Sequence, residues 1–371
     1  MEMVRKEWGP LAVAFVWFTT HFGGGFASGR QLVDFFVGYG WYAAFTPVLA
    51  ILIVGWVLYY AWEFSFIHKA YDYREWMDRF FHPYSIFFSN AFEVMYLMIL
   101  LIASAVAIAT GGTVMQQLLG TGYVMNTVIV AVCIFFLTIF GAEVVRRAAT
   151  AMALLIIIGM LIIYVANLVV NLPQLIGVLA SAPAPKGFGE AFWATAKYIG
   201  FQTCAMGAYI AVADALMSHE DVKKAFGYGV LVNAGVLWLA TLGVLAHYPT
   251  IVAEKVPVLY VAAHGGGGAF GTGIVSILIF LAVVSTGVSL IYGGARRIVG
   301  WWCRTHRGSS DRAANIVASL AYVLITWGVA LFGLLPLIAK GYGYLGSIAI
   351  FLLVIPILFV GLFRSKSWKA N

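Results

Sequence analysis

The residues best suited to chemistry sit where an apolar segment breaks: Thr19-Thr20-His21-Phe22-Gly23-Gly24-Gly25-Phe26-Ala27-Ser28-Gly29-Arg30. Three consecutive glycines with a fourth close behind do not hold a lipid-facing helix. In hydrocarbon each unpaired backbone group costs several kcal/mol. Such a break persists only where protein or a polar cavity takes up the freed N–H and C=O groups, so it marks a candidate binding site. Half-helix N-termini offer N–H donors and positive dipole to a carboxylate, and C-termini offer carbonyls to a cation or ammonium. A zwitterion suits both at once. His21, just before the break, reads either as a packed, hydrogen-bonded residue or as a substrate contact or proton carrier, because imidazole titrates near neutral pH. Phe26 is a candidate pocket wall.

A second weak point is Gly200-Phe201-Gln202-Thr203-Cys204-Ala205-Met206-Gly207, where glycines bracket a polar Gln-Thr pair inside an apolar stretch. Taken alone, a glycine in a membrane helix usually signals close packing. A third element is Ala282-Val283-Val284-Ser285-Thr286-Gly287. Its hydroxyls either bond back to their own helix or supply two hard oxygen ligands, which with carbonyls of the first break suit sodium. Glu93 lies in the interior of an apolar segment, where a charge is a functional candidate by default. The other reading places it in a water-filled vestibule. Lys197, one turn before Gly200, either snorkels or pairs with Glu93 or a substrate carboxylate. Arg30 and Asp34 stand one turn apart and either pair with each other or form part of an outer gate. Gating or coupling roles are therefore expected of Arg30, Glu93 and Lys197.

These residues must be carried by membrane-spanning helices. Of 371 residues 63% are hydrophobic and 10% charged, with mean hydropathy +0.94. No soluble domain of that length covers so much apolar surface. Ten segments of spanning length are read near 8–37, 41–67, 84–112, 121–141, 147–171, 190–217, 223–247, 271–299, 313–337 and 343–363. The net charge of +7 does not mark a nucleic-acid partner, because the cations gather in alternate loops. Arg5 and Lys6 precede the first segment. Lys69, Arg74 and Arg79 follow the second, Arg146 and Arg147 the fourth, and Lys223 and Lys224 the sixth. Arg296, Arg297, Arg304, Arg307 and Arg312 follow the eighth, and Arg364, Lys366 and Lys369 the tenth. That alternation follows the positive-inside rule and puts both termini in the cytoplasm of a multi-pass protein of the cell (inner) membrane. Three scattered cysteines suggest neither a disulfide framework nor a zinc site. A short cytoplasmic turn is expected at Glu143, Arg146 and Arg147. Long outer loops are expected at 172–189 and 248–272, the second either flexible or carrying a short capping helix between Val256 and Ala263.

Segments one and six are equivalent members of two five-helix halves, residues 1–171 and 172–371. With five helices per half, the second half enters the membrane from the opposite side. Interrupted helices at corresponding positions of inverted repeats point to a transporter site. The run Gly23-Gly24-Gly25-Phe26-Ala27-Ser28-Gly29-Arg30-Gln31 resembles the first-helix signature of the YkvI-like membrane proteins. The five-plus-five plan resembles, more distantly, the LeuT-type fold of the amino acid–polyamine–organocation transporters. The resemblance implies an all-α polytopic membrane protein of ten helices in two inverted five-helix repeats, with helices 1 and 6 broken. It implies a sodium held by carbonyls of Thr19 and Phe22 and by Ala282, Ser285 and Thr286. Substrate-binding backbone falls on Gly23, Gly24 and Gly25, joined by Gln202 and Thr203. Two departures stand out. Phe26 and Ala205 occupy positions that would serve a second sodium, and Gln31 stands where members of the family carry an acidic residue.

The expectation is a sodium-coupled secondary transporter of a small organic solute, an amino acid or amine, with no organic cofactor. Proton coupling through His21 or Glu93 is the nearest variant. A channel is the alternative, and against it stands the absence of repeated filter sequences or charged rings. An enzyme is not expected, since no catalytic motif such as HExxH, GxSxG or a Walker loop is present.

Overall fold

The computed structural model describes residues 2–306 and 312–368, and Arg307 and Lys369 of the cations above lie outside them. The described chain is helical throughout its spans. Helix α1 covers Glu2–His21. The chain then leaves helical geometry at Gly23 (φ −75°, ψ −174°), makes a single turn, α2 (Gly24–Ala27), and turns again at Gly29 (φ +76°) into α3 (Arg30–Phe35). The positive φ at Gly29 lies in the region that suits glycine. The expected first break is therefore real and double. Helix α4 (Thr46–His68) starts with proline in its first turn and ends at Lys69 in left-handed conformation.

Helix α5 (Tyr73–Phe80) is short and amphipathic. It is capped by Asp72, whose carboxylate accepts from the backbone N–H groups of Arg74 (2.9 Å) and Glu75 (3.2 Å), the arrangement that satisfies orphan donors at a helix start. It buries Trp76, Met77 and Phe80. Helices α6 (Ser85–Leu119), α7 (Tyr123–Phe136) and α8 (Ala142–Val170) follow. The turn expected at Glu143 is instead the start of α8, and α6 runs past the expected end at 112. Gly111 and Gly112 do not stop α6, because they admit Val130 and Thr127 of α7 at close approach.

Most of the expected outer loop at 172–189 is helical: α9 covers Leu172–Ser181, with Pro173 in its first turn, a position proline favours. Next come α10 (Phe188–Thr203), α11 (Met206–Ala211) and α12 (His219–Leu245). The capping helix between Val256 and Ala263 is present as α13 (Pro257–Ala262). The remaining elements are α14 (Gly268–His306), α15 (Arg312–Ala330), α16 (Leu334–Pro336), α17 (Gly343–Ala349) and α18 (Ile355–Trp368). Among the described residues, eight helical stretches are long and apolar enough to cross a membrane, and they coincide with expected segments two to five and seven to ten. Expected segments one and six are the pieces α1–α3 and α10–α11.

The sixth segment departs from expectation. Its interruption falls at Cys204 (φ −59°, ψ −24°) and Ala205 (φ −82°, ψ 11°), which is a hitch in a near-helical path rather than an unwound stretch. Gly200 has a different task. A Cβ there would fall on the carbonyl oxygen of Gly346, and one on Gly346 would fall on the carbonyl oxygen of Lys197. The two glycines let α10 and α17 touch backbone to backbone, the close approach that small residues permit in membrane helices. Gly200→Val is expected to lower stability by about 1–3 kcal/mol, the usual range for overpacking, in detergent unfolding. Gly227→Ala, whose Cβ meets nothing within 4 Å, should leave the midpoint unchanged.

The helices sort into two packed groups. In one, α12 lies along α4 and α1, and α10 lies along α4 and α17. In the other, α14 lies along α6, α8 and α15, and α6 along α7 and α15. The interrupted first segment lies between them, with α2 against both α14 and α6.

Candidate functional site

A cavity of about 220 Å³ lies at the interruptions, between the two groups. The first group lines it with Thr20, His21, Gly23 and Gly25 and, from α10–α11, with Phe201, Gln202, Ala205 and Ala208. The second group supplies Tyr96, Ile99, Leu100 and Ala103 of α6, with Thr286 and Leu290 of α14. Gln31 of α3 and Tyr342 complete the wall. The volume falls below the roughly 300–1,000 Å³ of drug-sized sites, so a small solute fits. None of the lining residues is Asp, Glu, Lys or Arg.

His21 is fully engaged. Its Nδ1 is 2.7 Å from Asn233 Oδ1, and its Nε2 is 2.5 Å from the Tyr198 hydroxyl. Asn233 Nδ2 donates to the Gly229 carbonyl (2.8 Å), which leaves Oδ1 as the acceptor facing the ring. A neutral imidazole with its proton on Nδ1, and the Tyr198 hydroxyl donating to Nε2, satisfies every group. The two glutamines are not satisfied. Gln31 is 3% exposed and Gln202 4%, yet Gln31 Oε1 and Gln202 Nε2 reach no hydrogen-bond partner. Each buried, unpaired polar atom costs about 1–3 kcal/mol, and turning the carboxamide about its last bond would exchange it with the other amide atom. Phe201 is stacked between Tyr342 (centroids 4.2 Å apart) and Phe35 (6.4 Å).

Other expected site residues lie elsewhere. Thr203 is buried, and its hydroxyl donates back to the Gly200 carbonyl (2.7 Å). It does not line the cavity, because this local bond is the usual fate of a hydroxyl in an apolar helix. Phe26 packs on Phe22 (4.3 Å) and turns away, toward Ile157 and Met160 of α8. A single helical turn after Gly23 carries residue 25 to the cavity and residue 26 off it. Gly24 opens that turn. Of the five residues expected around sodium, Thr286 alone lines the cavity. A Cβ on Gly23 would lie 3.6 Å from its Oγ1. The Thr19 hydroxyl donates to the Val16 carbonyl (3.3 Å), Phe22 packs at a tilt against Phe18, Ala282 is buried and Ser285 is half-buried beside Thr286.

Each end of the molecule carries a polar cluster. At the α13 end, Arg30 grips Asp34 (2.6 Å) and donates to the carbonyls of Val252 (2.9 Å) and Glu254 (2.8 Å). The Arg30–Asp34 pair forms, and the same guanidinium ties α3 to the segment before α13. Gly29 packs under Val258, whose N–H donates to the Ser28 carbonyl (3.2 Å).

At the α5 end, Glu93 pairs with Arg297 (2.5 Å) and accepts from the Tyr73 hydroxyl, and Arg297 lies 4.7 Å from the centre of the Tyr96 ring. These groups stand in a vestibule of about 850 Å³ that shares Leu100 with the inner cavity. The expected Lys197–Glu93 pair does not form. Lys197 precedes the interruption on α10, toward the α13 end, and Glu93 lies at the opposite end. Arg297, counted above as a loop cation, lies within the expected segment 271–299 and on helix α14. Tyr73, Tyr198 and Tyr342 gave no signal in the sequence, whereas Asn233, a lone amide in an apolar run, was readable as one.

No family model matches the chain, and none of the curated proteins compared matches it, so the YkvI-like likeness finds no support there. Several solved structures are similar in shape. One is a Na+-coupled sialic acid symporter in a substrate-bound, outward-open state (13% identity, TM-score 0.49, 97% of each chain). A second is a manganese transporter of Eremococcus coleocola (12% identity, TM-score 0.49, 100% of this chain and 88% of that one). A third is Mhp1, a nucleobase-cation-symport-1 family transporter in a closed conformation with bromovinylhydantoin bound (15% identity, TM-score 0.49, 92% and 77%).

Proposed function

We propose that the protein is a secondary active transporter that moves a small organic solute through a membrane by alternating access, driven by sodium. The observation that carries this reading is the cavity set at helix interruptions between two helix groups, with a different polar cluster at each end. Rocking one group on the other would open the cavity at one end while narrowing it at the other, which exposes it to one side at a time. A channel needs both ends open together, and the tie from Arg30 to the segment before α13 draws in the α13 end alone. In this reading the α5 end is cytoplasmic, as the loop cations imply. The two halves, 1–171 and 172–371, form inverted repeats of ten spans in all.

Sodium is favoured over a proton by what the titratable groups already do. His21 has both ring nitrogens committed, and Glu93 is held by Arg297 and Tyr73. The proposed ion would be held by carbonyls of Thr19 and Phe22 with Ala282, Ser285 and Thr286 of α14, near the point where Gly23 approaches Thr286. Hard oxygen donors suit such a cation. In proteoliposomes an inward sodium gradient should drive saturable accumulation of solute above equilibrium, and dissipating the gradient should abolish it. The paired variant Ser285→Ala/Thr286→Val should raise the sodium concentration for half-maximal uptake by about tenfold, equivalent to ~1.4 kcal/mol. Equal uptake with potassium in place of sodium would refute the coupling.

A further inference from the structure

We infer that the solute is an uncharged, planar amide, a cyclic amide or amide-edged base presenting N–H and C=O side by side, rather than an amino acid or an amine. The inference rests on the reading of the cavity as a solute site and names what that site would recognise. Two buried carboxamides, Gln31 and Gln202, line the cavity, and Gln31 Oε1 and Gln202 Nε2 are buried without a hydrogen-bond partner. A neighbouring N–H and C=O on one solute would answer both. Turning either carboxamide about its last bond exchanges donor for acceptor, so the pair accommodates the edge in either sense.

Charge decides against the alternatives. An ammonium or carboxylate taken from water into this cavity would meet no side chain of opposite sign, and burying an unpaired charge is far costlier than burying a dipole. His21 cannot serve as the missing cation without giving up its bond from Tyr198. The wall is otherwise aromatic and aliphatic, with Tyr96, Phe201 and Tyr342 offering ring faces and edges to a flat solute. The hydroxyls of Thr20 and Thr286 are neutral as well.

The test uses purified full-length protein in nanodiscs, with thermal shift and calorimetry. Probes are uracil and 2-pyrrolidone, with 1,3-dimethyluracil, orotate and L-proline as matched comparators. Uracil or 2-pyrrolidone should raise the unfolding midpoint. 1,3-Dimethyluracil, which keeps the ring and loses the donors, should bind about tenfold more weakly or not at all. Orotate and L-proline should give no shift. Gln31→Leu and Gln202→Leu should each fold with an unchanged or raised midpoint when empty, since they remove an unpaired buried polar atom, and should lose the response to the probes. The inference falls if neither probe shifts the protein, if L-proline or orotate shifts it more, or if the response survives the double leucine variant. The transport reading is judged separately. Binding of uracil without gradient-driven uptake in proteoliposomes would sink transport and leave the solute class standing. Sodium-driven uptake of L-proline would do the reverse.

Discussion

Arg30→Met is expected to be among the most damaging single substitutions in the chain. The Arg30 side chain is 8% exposed and that of Asp34 10%. Removing the guanidinium leaves a carboxylate buried without its cation and strips the donor from two carbonyls, those of Val252 and Glu254. Breaking a buried pair from one side costs about 3–5 kcal/mol. Chemical unfolding in detergent should show a loss of that order. Replacing both partners, Arg30→Met/Asp34→Leu, should recover most of it, because no lone charge then remains buried. The recovered protein should still differ in one way. With its tie to α3 gone, the segment before α13 no longer holds the outer end shut, so a thiol-specific reagent applied from that side should reach a cysteine at position 31 faster. Equal losses in the single and double variants would show that the pair itself contributes little and that the carbonyl contacts dominate.

Gly25→Val should abolish solute binding while Gly23→Ala leaves the fold untouched. The two glycines are two residues apart, yet their surroundings differ. A Cβ at residue 25 would stand 2.5 Å from Gln31 Nε2 and 3.4 Å from both Tyr342 and Val106. The branched chain must push Gln31 aside and grow into the cavity. A loss of at least about 100-fold in affinity is expected, equivalent to ~2.8 kcal/mol, with about 1–3 kcal/mol of stability lost to overpacking. At residue 23 the nearest atom to a Cβ is Thr286 Oγ1 at 3.6 Å, and the backbone (φ −75°, ψ −174°) is one that alanine adopts freely. Stability there should hold or rise by about 0.4–1 kcal/mol through the stiffer unfolded chain. Thermal unfolding and probe titration on both variants check the pair together.

The first break was legible because backbone in hydrocarbon has no alternative partner, and four glycines in seven residues leave few helical options. The α13 helix and the Arg30–Asp34 pair were legible for similarly local reasons, a proline-started apolar run in one case and an i,i+4 spacing in the other. Gly200 was misread because a glycine that breaks a helix and one that admits a neighbour look alike in one dimension. Only the Gly346 backbone on α17, far along the chain, distinguishes them. Thr203 and Lys197 were assigned to the site by proximity to that glycine and lost their roles with it. Arg297 was hidden for a different reason: it was counted with the loop cations, although it lies within the expected segment 271–299 and on helix α14. The unmet glutamines were invisible, since whether a buried amide is satisfied depends on every neighbour in the fold.

The central claim is that two helix groups close on the cavity from alternate ends, and distances across each end test it most directly. With Cys133, Cys204 and Cys303 replaced, spin labels at Phe188 (α10) and Leu118 (α6) would report the α13 end, and labels at Lys224 (α12) and Phe87 (α6) the α5 end, all four positions being exposed. Pulsed electron resonance in nanodiscs, with and without sodium, should show the two distances shifting in opposite directions. Distances that stay fixed, or that lengthen together at both ends, would contradict alternating access.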